Sequence, residues 1–243
     1  MATRNMVYLG RDRVQIGPWK SSPTTASIIP FAAKVSVPVD AVHKTVEEAQ
    51  LLGFSHAFTS ALAPPQAEPF LAAGFTLSEE LHLLRRPLRA EITVERSATR
   101  RARKADWDRV LAVDALAFDD FWQFDRSALA DAIRATPRHR FQVIKSDPVH
   151  GYHVTGLAGS NAYVQRVAVH PDAHRRGYGS ALVHDSLRWA WRNGASSAQV
   201  NTQITNVAAV ALYERCGFAL APYRLQVLER PLDPGGASPD LYA

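Results

Sequence analysis

The sequence predicts an α/β protein, a central mixed β-sheet flanked by helices, and three observations predict it. From Tyr163 to Phe218 the chain alternates strand and helix patterns around one basic glycine loop. Ahead of it lie two helix-period segments and then two short apolar runs separated by a turn. In the first ninety residues a shorter version of the same alternation can be read. This mixing of strands and helices is the α/β pattern rather than separate runs of one type.

The strand Tyr163 to Val169 is rich in β-branched residues and is stopped by His170-Pro171-Asp172. His174-Arg175-Arg176-Gly177-Tyr178-Gly179 forms the loop, and a helix runs from about Ser180 to Arg192, with Leu182, Val183, Leu187, Ala190 and Trp191 at helical spacing. Asn193-Gly194 ends it, glycine accepting the left-handed conformation past a helix. Gly177 and Gly179 let the backbone turn tightly with no Cβ against a ligand. The first-turn N–H groups of the next helix lack intrahelical partners, and Arg175 and Arg176 add charge beside the positive end of its dipole. That combination suits a phosphate or pyrophosphate, although Gly-x-Gly before a helix also occurs as a plain tight turn.

After a second strand, Ser197 to Gln203, comes Asn206-Val207-Ala208-Ala209-Val210-Ala211-Leu212-Tyr213-Glu214-Arg215-Cys216-Gly217-Phe218. The two segments together resemble the GCN5-related N-acetyltransferase (GNAT) family. There a strand leads to Gln/Arg-x-x-Gly-x-Gly/Ala, which cradles the coenzyme A pyrophosphate, and an Asn-x-x-Ala-x-x-Leu-Tyr-x-x-x-Gly-Phe segment follows. The resemblance covers roughly Ile92 to Leu232 and departs at His174, where the family has Gln or Arg. It implies a GNAT fold, acetyl-CoA as co-substrate, and cofactor contacts from Val167, Ala168, Val169, His174, Arg175, Arg176, Gly177, Tyr178, Gly179, Ser180, Asn206 and Tyr213.

Composition narrows the function. The chain has 243 residues, 47% of them hydrophobic, enough for one or two domains with a sizeable core. No apolar run approaches a membrane span and no signal-peptide core opens the chain, so a cytoplasmic protein is expected. Cys216, the single cysteine, cannot form an internal disulfide and reads as a small core residue. A net charge of +5 raises nucleic acid as a partner. The arginines, however, are spread along the chain, and neither zinc-finger spacing nor an aromatic-basic RNA motif is present. The one dense cluster, Arg96 to Lys104, reads as a solvated face. In His170-Pro171-Asp172-Ala173-His174 the proline breaks any helix register, and the other histidines are scattered without ligand spacing, so no metal is expected.

The N-terminal ninety residues contain a partial repeat. Phe70-Leu71-Ala72-Ala73-Gly74-Phe75-Thr76-Leu77 resembles Leu212-Tyr213-Glu214-Arg215-Cys216-Gly217-Phe218-Ala219-Leu220 in pattern, with Leu71 or its neighbour in the tyrosine's place, and Leu84-Arg85-Arg86-Pro87-Leu88 parallels Leu228-Glu229-Arg230-Pro231-Leu232. A helix from about Asp40 to Leu52 ends at Gly53, as the later one ends at Gly194. Residues 1–90 therefore read as a degenerate, shortened GNAT-like half, the alternative being an unrelated α+β appendage. Its strand, Lys34 to Val39, leads into the helix without Gly-x-Gly or paired arginines, and Pro64-Pro65-Gln66 fills the approach to its last helix. Residues 91–243 are expected to be the catalytic domain.

That second copy opens with a strand near Glu91 to Arg103, then helices Ala105 to Phe118 and Arg126 to Ala135, then strands Arg140 to Lys145 and Tyr152 to Ala158. The loop between the helices, which lines the acceptor side in GNAT enzymes, carries Phe118, Phe121, Trp122 and Phe124 beside Asp119, Asp120 and Asp125. Such a wall suits a cationic amine with an apolar part. Equally, the aromatics can be core and Asp125 a helix N-cap. The resemblance gives Tyr213 the role of protonating the departing thiolate and a backbone N–H at Val167 or Val169 that of polarising the acetyl carbonyl; Tyr213 also reads as simple core packing. Members of the family that acetylate ribosomal protein use a glutamate as base where this chain has Asn201, leaving Asp119, Asp120 or water for that task. The implied function is acetyl transfer from acetyl-CoA to a primary amine of a small molecule or a peptide. The alternative is a non-catalytic acetyl-CoA-binding or assembly protein of the same fold.

Overall fold

The computed structural model describes residues 4–90 and 98–232. In chain order the elements are β1 (Asn5–Leu9), β2 (Asp12–Pro18), β3 (Thr25–Phe31), α1 (Val39–Leu51), β4 (His56–Thr59), α2 (Pro64–Ala72) and β5 (Thr76–Pro87). They continue with β6 (Thr99–Arg101), α3 (Trp107–Ala117), α4 (Arg126–Arg134), β7 (Arg138–Ile144), β8 (Gly151–Ala158) and β9 (Asn161–Val169). The last are α5 (Tyr178–Arg192), β10 (Ser197–Gln203), α6 (Val207–Arg215) and β11 (Ala219–Pro231). The chain divides into two compact units, one of residues up to Leu81 with those from Tyr223 onward, the other His82–Pro222.

In the first unit the strands run β1-β2-β3-β4-β11. Antiparallel ladders join β1, β2 and β3, and β3 pairs parallel with β4. The last strand of the described residues, β11, completes this sheet, Glu229 opposite Phe58, so the unit is closed by residues far away in sequence. Its core joins Val14, Ile16 and Ile28 of the sheet to Val42 and Val46 of α1, Phe70 of α2 and Leu228 of β11.

The second unit orders its strands β5-β10-β9-β8-β7-β6. Val164, Val183, Leu187, Val200, Tyr213 and Phe218 form a core with α5 and α6, and Val110, Leu129, Val143, Tyr152 and Val154 form another with α3 and α4. Local details repeat between the units. Arg230 of β11 donates to Ala73 O at the end of α2, and Arg86 of β5 donates to Cys216 O at the end of α6. Likewise Leu232 N–H reaches Ser55 O, and Leu88 N–H reaches Ser196 O. Gly74 and Gly217, which follow those carbonyls, both adopt positive φ.

The strand expected at Lys34 to Val39 is absent: that stretch bends into α1, with Val35 63% exposed and Val37 buried. The strand before α1 is β3, whose Pro30 argues against a strand in the sequence. It is accommodated because β3 pairs with β4 only as far as Ile28 opposite Thr59, beyond which the missing N–H has no ladder to break. Among the described residues three strands precede α1. Of the strand expected near Glu91 to Arg103, residues 91–97 lie outside the described residues, and Thr99–Arg101 pairs with β7.

A buried polar network ties β6, β7, β8 and α5 together. Asp185 accepts from Arg140 at 2.6 and 2.9 Å, from His153 Nε2 at 3.0 Å and from Thr99 at 3.0 Å. His153 Nδ1 lies 2.9 Å from Thr155 Oγ1, itself 2.6 Å from Ser186 Oγ. Burial disfavours a charged imidazole and pushes the His153 pKa below its ordinary 6.5, against the pull of Asp185. Burial pulls Asp185 upward, yet the bonds from Arg140 and His153 leave its pKa well below the usual carboxylate range. A native histidine held neutral, while the unfolded chain takes a proton near pH 6.5, gives stability that is complete above that pH and lost as pH falls below it. The melting temperature should therefore drop between about pH 6.5 and 5. His153→Gln, whose amide still donates to Asp185, should flatten that part of the curve. Parallel wild-type and variant curves from scanning calorimetry would contradict the assignment.

Candidate active site

The sheet opens in the middle of the second unit. β9 and β10 pair in parallel from Asn161 opposite Ser197 to Val164 opposite Val200, yet β9 continues to Val169 and β10 to Gln203. At the point of parting, the β8–β9 ladder shifts register between Val154 and Thr155, so Gln165 is an extra residue, a β-bulge that bends its strand. N–H groups on a strand turn alternately to its two neighbours. His170 N–H bonds to His150 O on the β8 side, so the amides of Val167 and Val169 face the other side, where β10 has parted. Ala168 between them is buried among Val110, Tyr152 and Val154.

The loop after β9 is shaped for an anion. His170 Nδ1 accepts from Asp172 N–H, and His174 Nε2 lies 3.2 Å from Val169 O, folding the loop back on its strand. Arg175 has φ +60° and Gly177 φ +77°, two left-handed residues flanking Arg176. Such alternation gathers successive N–H groups into a concave nest that attracts anions. Gly177 is the N-cap of α5 and has no side chain to satisfy the first-turn amides. In contrast, Asp125 accepts from Ala128 N–H at 2.7 Å to cap α4, and Asn206 from Ala209 N–H at 3.0 Å to cap α6. Arg175 and Arg176 are exposed beside the open helix end. These features fit a diphosphate.

Several expected contacts have structural duties as well. A Cβ on Gly179 would lie 3.0 Å from Leu212 Cδ2, so glycine there lets α5 approach α6. The Ser180 side chain lies near the Cys216 thiol, and its backbone amide is in the first turn of α5. Tyr178 stacks on His150, ring centroids 6.2 Å apart. Asn206 commits its oxygen to the α6 cap, which leaves its amide NH2 for a ligand. Tyr213 is buried against Phe218 with ring centroids 5.8 Å apart; burial pushes its pKa well up and Arg166 partly opposes this, so the hydroxyl stays protonated at neutral pH. Cys216 is buried, and burial raises its thiol pKa.

The loop between α3 and α4 departs from the expected aromatic wall. Phe118 and Phe124 already hold a cation, Arg166 of β9, whose guanidinium carbon lies 3.4 and 4.1 Å from the two ring centroids. Arg166 also forms two 2.7 Å bonds to Asp114 of α3 and one of 2.8 Å to Trp122 O. Asp114 is fully buried and accepts in addition from Tyr152 Oη and Phe124 N–H. Removing one member of such a pair strands a buried charge, at a cost of about 3–5 kcal/mol. Phe121 and Trp122 meet edge to face, 4.9 Å between centroids. Asp119 accepts from Trp122 N–H and from Gln203 at the end of β10, and Asp120 accepts from Gln123. Asn201 is exposed on β10.

Arg166 escaped notice in the sequence because it sits inside an apolar strand. The signal was there: one arginine at a core position of β9 and one aspartate, Asp114, on the buried stripe of α3. His150, whose buried Nδ1 has no hydrogen-bond partner among the described residues, was also unmarked. Among those residues no His, Cys, Asp and Glu group could hold a metal ion, and no helix is long and apolar enough to cross a membrane.

Residues 107–218 match the family model of the acetyltransferase (GNAT) family. The chain is 30% identical over 84 residues to "[Ribosomal protein bS18]-alanine N-acetyltransferase" of Escherichia coli (strain K12), covering 35% of this chain and 57% of that protein. It is 33% identical over 176 residues to mycothiol acetyltransferase of Salinispora arenicola (strain CNS-205), covering 64% of this chain and 57% of that one. The chain thus spans little more than half the length of either relative. Among solved structures, a tandem GNAT protein from the clavulanic acid biosynthesis pathway superposes with a TM-score of 0.65 at 12% identity, over 92% of this chain and 80% of that one, a likeness of fold. The segment that carries the parted strands, the anion-shaped loop and Tyr213 belongs to the GNAT acetyltransferase family.

Proposed function

We propose that this chain is an acetyl-CoA-dependent N-acetyltransferase that acylates a primary amine of a small molecule or peptide. The observation that carries the reading is the parting of β9 and β10 beyond Val164 and Val200, directly beside the uncapped α5 N-terminus with Arg175 and Arg176. In this reading the first-turn amides from Gly177 to Ser180 and the two arginines hold the pyrophosphate. The pantetheine arm lies along the free edge of β9, with the Asn206 amide as a further donor. Acetyl-CoA supplies an activated acyl group as a thioester. Val167 or Val169 N–H stabilises the charge that develops on the carbonyl oxygen. Tyr213 gives its proton to the sulfur as it leaves, the role that a hydroxyl kept protonated by burial can fill.

Residues 91–243 carry this chemistry in our reading, and residues 1–90 are a degenerate, non-catalytic GNAT-like half. Support comes from α1, which follows β3 with Pro38 as its N-cap, without paired arginines or a left-handed loop. The exposed Asn201, at the place of the family's glutamate, favours the second reading, a protein that holds acetyl-CoA without turning it over. A panel of primary amines and peptides incubated with acetyl-CoA, followed by thiol release and mass, separates the two.

Acetyl-CoA should raise the melting temperature, because a ligand present at 100 times its Kd adds about 2.7 kcal/mol to native stability. Exchanging both loop arginines, Arg175→Glu with Arg176→Glu, should abolish that rise without unfolding the protein, since both side chains are exposed. A rise of unchanged size would rule out the pyrophosphate site. Tyr213→Phe keeps the ring in place and removes only the hydroxyl. Turnover should fall by about 10²-fold or more while the acetyl-CoA Kd stays within about twofold. Full turnover in the variant would leave Tyr213 as a packing residue.

A further inference from the structure

We propose that Arg166 is a positioning residue: it fixes the α3–α4 loop as a bridge across the two parted strands and so sets where the acceptor amine sits. This rests on the acetyltransferase reading only for the identity of the bound molecule. The loop is tied on both sides of the opening. On the β9 side Arg166 is wedged between Phe118 and Phe124 and bonds Trp122 O; on the β10 side Gln203 Nε2 donates to Asp119 at 3.0 Å. The anchor is stiff, because Asp114 takes both guanidinium nitrogens in a fork and is itself fixed by Tyr152 and Phe124 N–H.

Two consequences follow for the acceptor. With Arg166 between them, Phe118 and Phe124 are closed to a substrate cation. Recognition passes to the Phe121–Trp122 pair and the Asp119 carboxylate, whose positions the two tethers fix. Arg166 also immediately precedes Val167, so the tether that places the loop starts next to the amide assigned to the carbonyl oxygen. Acceptor and carbonyl are thereby referenced to the same short piece of strand. Small displacements matter here, since misplacing a reactant by about 1 Å can cost around 10²-fold in rate.

The test compares wild type with Arg166→Lys, Arg166→Met and Gln203→Ala. Lysine keeps the charge and loses the planar fork and the stack. Three readouts are taken: acetyl-CoA Kd by calorimetry, KM and kcat for the best amine of the panel, and hydrogen exchange by peptide. The expected result is a KM for the amine raised about tenfold or more in both Arg166 variants, a smaller rise in Gln203→Ala, and an acetyl-CoA Kd within about twofold of wild type. Exchange should accelerate in residues 118–125 while β8 and α5 keep their protection. Acceleration spread over the whole unit, or an acetyl-CoA Kd that weakens in step with the amine KM, would make Arg166 merely structural and overturn the proposal. So would an unchanged loop and KM in a folded variant. If no amine in the panel is acetylated, the acetyltransferase reading fails by itself and the exchange pattern alone decides about the bridge. If the Arg166 variants do not fold, Gln203→Ala decides by the same criteria.

Discussion

Parallel pairing between β9 and β10 stops at Val164 and Val200, and the backbone groups beyond that point must find other partners. The candidate site follows from that constraint. The bulge at Gln165 bends β9 away, the amides of Val167 and Val169 are left facing the opening, and the helices that follow the two strands begin on either side of it. Gly179 against Leu212, with Ser180 near Cys216, packs the start of α5 against the C-terminal half of α6. Glycine at 179 is required by packing alone, whatever the loop binds.

The polar groups of the second unit sort by what surrounds them. Asp185, His153, Thr155 and Ser186 are buried and satisfied by one another and by Arg140, so they hold the sheet to α5. Arg166 and Asp114 are buried as well, but they join the strand beside the opening to the loop that bounds it. The first network holds the frame together; the second ties the α3–α4 loop to β9.

Much of this was legible in the sequence, for physical reasons. The β-branched run of β9 and the helical spacing of α5 are local signals, and the expected ends fall within two residues of the elements found. The tight turn of the arginine–glycine loop could be read because glycine marks a left-handed backbone, and Gly177 has φ +77°. What could not be read was long-range. Pro30 hid β3 because its harmlessness depends on where β4 ends, and the alternation around Val35 and Val37 imitated a strand that has no neighbour to pair with. The completion of the first sheet by β11 joins residues more than 160 positions apart, Glu229 with Phe58. The aromatic loop reads in the sequence either as a wall for a cation or as core; Phe118 and Phe124 hold the chain's own Arg166, more than forty residues away.

The measurement that bears most directly on this account is an acetyl-CoA titration followed by the backbone amide signals of the folded chain. The account predicts that the amides of Arg176 to Ser180 and of Val167 and Val169 shift first and saturate together. The signals of β3 and α1, the corresponding elements of the first unit, should stay where they are. Shifts that cluster at the start of α1, or that leave the α5 N-terminus untouched at saturation, would contradict it.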